Sequence, residues 1–198
     1  QYFDETKSYF CATDTDLSQW HNIGVQGICD LAVQMNADGD LAQAITIKLD
    51  ALPPQVFMPL ATAFENVMLS PDTISKLIAY YSTASEELKP YIIRSLASSS
   101  THPYVVEFLQ SLLTKDTLSE DTIITIAGRC WEALADELTM TSFLEQIAQK
   151  QDLSLFQAIF KDLVAIPQLR QIIFACMRST KRSPALAKAI GSLFNAQS

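Results

Sequence analysis

The sequence predicts an all-α fold of stacked antiparallel helix pairs, about eleven helices in all. Three observations carry this. Apolar residues recur at the helical period in segment after segment. Proline and hydroxyl residues punctuate those segments at positions suited to helix starts. Only five glycines occur in 198 residues, while 48% of the residues are hydrophobic. The composition supports a sizeable core and disfavours a turn-rich β architecture.

Residues 1–15 are expected to form an irregular lead-in anchored by Tyr2, Phe3, Tyr9 and Phe10. A single helical-repeat domain is expected over 16–198, opening with a helix at 16–35. Asp38-Gly39-Asp40 reads as a tight turn before a helix at 40–51. Helices at 54–69, 71–83 and 86–98 follow, the second opened by Ser70-Pro71, since proline is tolerated in a first helical turn. His102-Pro103 opens 103–115, where Val105, Phe108, Leu109, Leu112 and Leu113 form one stripe at i, i+3, i+4, i+7, i+8. Ser119-Glu120-Asp121 supplies an N-cap hydroxyl for 120–135, whose stripe runs Ile123, Ile126, Ala127, Cys130, Trp131, Leu134. The Thr139–Ser142 hydroxyls point to a start at 140 for the helix 140–150, with Met140, Phe143, Leu144, Ile147 and Ala148 inward. Phe156, Ile159, Phe160, Leu163 and Val164 mark 153–165. Ile166-Pro167 opens 167–179, with Leu169, Ile172, Ile173, Cys176 and Met177 inward, and Ser183-Pro184 opens 184–195.

These helices group into pairs. Leu60–Tyr81, Tyr91–Leu113, Ile126–Ala148 and Phe156–Met177 each read as helix, brief turn, helix, with starts 31, 35 and 30 residues apart. Ile23–Leu49 looks like an earlier unit. A short helix pair cannot bury its own apolar faces and needs neighbours on both sides. The stretch from Tyr91 to Leu109 shows a helix ending in small residues, a polar turn with proline, and a helix led by a hydrophobic pair. In this it resembles the HEAT-like α-solenoid superfamily, and the resemblance covers roughly residues 20–195. It implies an extended, curved face of the kind that binds peptides and protein surfaces. The Gly24–Ala32 stretch also resembles an uncharacterised proteobacterial family of unknown function.

The formal charge is −8, unevenly spread. Residues 1–160 hold eight Lys/Arg against 21 Asp/Glu, whereas 161–198 hold six against one. An acidic body repels phosphate backbones, so nucleic-acid binding is not expected. Cys11, Cys29, Cys130 and Cys176 show no CxxC or Cys/His metal spacing. The last three lie on apolar helix faces and read as buried free thiols, which favours a reducing, cytoplasmic compartment. No apolar run reaches the roughly 18 residues needed to span a bilayer, and no membrane association is expected. The chain starts at Gln1 rather than Met, which suggests an excised or processed product and a longer natural chain.

No residue set carries catalytic chemistry. His21 and His102 lack Cys, Asp or Glu at ligand spacing, and His102 reads as a cap or surface group. Arg129-Cys130-Trp131 is conspicuous, but the last two belong to the apolar stripe, leaving Arg129 to pair with Glu132 or Asp136. Glu86-Glu87, Glu120-Asp121 and Asp136-Glu137 lie near helix starts, where carboxylates complement the helix dipole. Phosphate-binding glycine loops and HExxH are absent, so no cofactor or metal is expected. The remaining candidate is the basic end. Arg178, Lys181 and Arg182 flank the last inter-helix loop as a partner-docking patch, with Lys161, Arg170 and Lys188 expected near the same end. The expected function is a non-catalytic protein–protein interaction or scaffolding module with a protein partner. Two alternatives stay open: a nucleic-acid-acting enzyme on a HEAT-like scaffold, and the C-terminal structural part of a larger helical protein.

Overall fold

A computed structural model describes residues 2–13, 16–115 and 117–195. Among them twelve α-helices and four short 3-10 turns account for all regular structure. The helices are α1 (Tyr2–Cys11), α2 (Val25–Gln34), α3 (Gly39–Lys48), α4 (Pro54–Phe64), α5 (Pro71–Tyr81) and α6 (Lys89–Ser95). They continue with α7 (Pro103–Lys115), α8 (Glu120–Arg129), α9 (Glu137–Gln149), α10 (Leu153–Ala165), α11 (Pro167–Arg178) and α12 (Pro184–Asn195). Among the described residues no helix is long and apolar enough to cross a membrane. The chain falls into two compact units, Gln1–Val105 and Val106–Ser198.

In the first unit the helices pack mainly on their next-but-one neighbours. One row is α1, α3 and α5; the other is α2, α4 and α6. Polar ties show that row partners run the same way. Lys7 near the middle of α1 pairs with Asp38 at the start of α3 at 2.8 Å. One turn later the Phe10 carbonyl accepts from Lys48 Nζ at the end of α3 at 2.6 Å. Likewise Glu65 accepts from Arg94 Nε at 2.5 Å, and the Val67 carbonyl accepts from Ser98 Oγ, tying α4 to α6. Phe57, Leu60 and Phe64 of α4 are fully buried between these layers. In the second unit α9 and α11, and α10 and α12, also meet, but the sequential pair α10 and α11 packs as closely, and α12 packs against α9 as well.

Several expectations need correction. The 1–15 lead-in is not irregular, because α1 occupies Tyr2–Cys11. Its buried face is Thr6, Tyr9 and Phe10, and the polar Thr6 in that stripe hides the period. Tyr9 and Phe10 do anchor the segment, Tyr9 also donating to the Leu17 carbonyl at 2.7 Å. The helix expected at 16–35 begins only at Val25. Asp16 accepts from the Ser18 N–H at 3.0 Å, a local turn that competes with helix, and Gly24 is extended. Helix 120–135 breaks at Cys130, whose backbone (φ −124, ψ 25) ends α8 and starts a 3-10 turn over Trp131–Leu134. The helix expected from 140 starts at Glu137. Its cap is Asp136, which accepts from the Leu138 and Thr139 N–H groups at 3.0 and 3.1 Å, rather than a Thr or Ser hydroxyl.

Candidate functional site

The candidate site grows from the way the chain leaves α11 and enters α12. Pro184 has no N–H to lose and sits in the first turn of α12. Ser183 caps the helix, its Oγ accepting from the Leu186 N–H at 3.1 Å. The same hydroxyl donates to Glu145 of α9, and the Ser183 N–H donates to the other Glu145 oxygen at 2.9 Å. One carboxylate thus clamps the α11–α12 connection onto α9. Arg182 is part of the clamp, its guanidinium donating to the Met177 carbonyl. Lys181 holds a turn through its backbone, whose N–H donates to Ser179 Oγ at 3.2 Å, while its side chain stays exposed. Arg178 is also exposed and lies in the last turn of α11.

The clamp separates two concavities, both within the second unit. On one side Lys181 joins Lys115, Thr117, Ser142, Gln149 and Glu145 around an open polar trough. Gln146, buried at its floor, accepts from the Leu118 N–H at 3.3 Å and donates to the Leu113 carbonyl at 2.9 Å, which fixes the trough's far wall. On the other side lies a more enclosed cavity of about 260 Å³ between the starts of α10 and α12. Leu153, Phe156, Pro184, Ala185 and Ala189 make its apolar wall, with Lys188 and Asp152 as the charged groups in its lining. Asp152 is engaged in capping α10, accepting from the Leu155 N–H at 2.9 Å. Gln151 beside it holds φ at 58°, a left-handed backbone that reverses the chain between α9 and α10.

The expected gathering of six cations at one end is found only in part. Lys181 reaches the trough and Lys188 the cavity. Arg170 donates instead to the Val164 carbonyl at 3.1 Å, across the α10–α11 junction. It therefore sits roughly 12 Å along α11 from Arg178. Lys161 is exposed on α10.

None of the histidines and cysteines lines either concavity. His102 Nδ1 accepts from the Tyr104 N–H at 3.2 Å, a cap at the start of α7. His21 stacks on Trp20 at 4.2 Å. Among the described residues no three His, Cys, Asp or Glu side chains converge as a metal site would need. Cys130 and Cys176 are buried as expected, Cys29 is only half-buried, and Cys11 is exposed; all four are free thiols. Burial pushes the Cys176 thiol up from its ordinary range.

Compared with known proteins, the chain matches one family model over residues 1–194, that of the proteins of unknown function called DUF3549. The chain belongs to the DUF3549 family. No curated protein and no solved structure matches it. In this DUF3549 chain, Lys181 is the one of the three expected docking residues that lines the trough, beside Lys115 and Glu145, which the sequence did not single out. Ser183 and Glu145 are 38 positions apart, and helical periodicity reports only neighbours within a few turns.

Proposed function

We propose that this chain is a non-catalytic protein–protein interaction module of the HEAT-like, stacked-helix kind, working in the cytoplasm and docking a partner at its basic end. The observation that carries the reading is the next-but-one packing of same-direction helices in the first unit, pinned by Lys7–Asp38 and Glu65–Arg94. Such rows bury one face of each helix and leave the other as a rigid surface. The exposed cations Arg178, at the end of α11, and Lys181, in the α11–α12 connection, then supply a charged docking edge. Four free thiols, two of them buried, suit a reducing compartment.

The test compares partners retained by the wild-type chain and by R178E/K181E in lysate of the source cell. Arg182 is left alone because its guanidinium holds the loop. A partner held by the wild type and lost by the variant supports the reading. Equal retention by both rejects the basic end as the docking edge. A wild-type chain that retains nothing above background rejects the interaction module itself.

A further inference from the structure

Resting on that reading, we infer that the partner is an acidic peptide segment carrying one large apolar side chain. The side chain enters the cavity between α10 and α12, and the acidic residues beside it lie over Lys188 and the Lys181 trough.

The cavity fits one such anchor. An apolar void of roughly 150 Å³ holds a benzene molecule, so about 260 Å³ accommodates an aromatic or long aliphatic side chain. Its wall is apolar from both helices, Leu153 and Phe156 from α10 and Ala185 and Ala189 from α12. Buried anchors of this kind dominate the energy of protein recognition, while surrounding charges set register and encounter rate.

The surrounding charge selects an acidic segment. Lys188 is in the cavity lining, and Lys181 and Lys115 line the trough. Two carboxylates oppose them, Asp152, which caps α10, and Glu145, which holds Ser183; both keep their charge, and the lining lysines outnumber them three to two. Both concavities share the last turns of α9 and the α11–α12 connection. Ala148 lines one and Gln149 the other; Pro184 lines one and Lys181 the other. A single extended segment crossing the Ser183 clamp touches both.

The test is selection of phage-displayed random peptides on the immobilised full chain, run in parallel on two variants. A185L fills the cavity from a half-buried position, and K181E/K188E reverses the exposed charge without touching the core. Thermal melts check that both fold. The expected result is enrichment of peptides that combine one aromatic or large aliphatic residue with Asp or Glu. Their affinity should fall at least tenfold on A185L and on K181E/K188E, and should weaken with added salt. Enriched peptides that are basic or lack an apolar anchor overturn the inference, as does equal binding to A185L. An oligonucleotide that binds through Lys181 and Lys188 and is indifferent to A185L also overturns it. If the inference fails while a native partner is still lost on R178E/K181E, the interaction module stands and only this partner chemistry is wrong.

Discussion

Asp136 shows how much one side chain does at a helix start. It accepts from two backbone N–H groups of α9 and from the Thr139 hydroxyl. Burial alone pushes its carboxyl up, but the hydrogen bonds from Thr139, Gln110 and Leu138 together outweigh burial and hold it below the usual carboxylate range. A depressed folded pKa stabilises above the unfolded value, near 3.9, and that contribution is lost as pH falls through the folded pKa. D136A should therefore cost about 1 kcal/mol at neutral pH in urea denaturation. The deficit relative to wild type should shrink as the pH is lowered below about 4. A deficit independent of pH would mean that the cap does not act through its charge. Gln146 works by geometry instead. Its amide satisfies the Leu118 N–H in the α7–α8 connection and the Leu113 carbonyl in the last turn of α7. Q146L should leave both unpaired and cost about 1–3 kcal/mol, read from the same denaturation curves. A loss below about 0.5 kcal/mol, the level of ordinary surface changes, would show that the connection finds other partners.

At the scale of elements, what the sequence discloses depends on how local the deciding physics is. The ranges 103–115, 153–165 and 184–195 are found as α7, α10 and α12. In α7 and α12 proline opens an uninterrupted apolar stripe; in α10 Asp152 caps one. The helix at 86–98 is shorter, ending at Ser95, because Leu96 (φ −88, ψ 0) leaves the helical basin. The small, serine-rich run from Ser95 to Ser100 announces a break there, but not its residue, since Leu96 is an apolar, fully buried position. Lys181 was legible as a charge; its clamp to α9 was not, because it depends on which helices meet. The stripes also rank substitutions. F143A, on the buried face of α9, should cost about 3–5 kcal/mol. L138K, five positions earlier and 82% exposed, should change stability by less than about 0.5 kcal/mol. Similar melting temperatures for the two variants would contradict this assignment of the α9 faces.

For the whole molecule, circular dichroism should give a dominantly helical spectrum with little strand, and a strand-rich one would contradict the twelve helices. Charge is also a property of the whole: residues 1–160 carry 21 of the 22 acids, whereas six of the 14 bases fall in 161–198. The four thiols offer a further consequence. Cys11 lies open at the end of α1, while Cys130 and Cys176 are 0% and 1% exposed. A thiol-reactive dye added to native protein should modify Cys11 in the first moments, and the two sheltered sulfurs only as fast as their surroundings breathe. Both sheltered sulfurs belong to the Val106–Ser198 unit. Their modification rate thus serves as an intrinsic clock for the transient loosening of that half, with no label engineered into the chain.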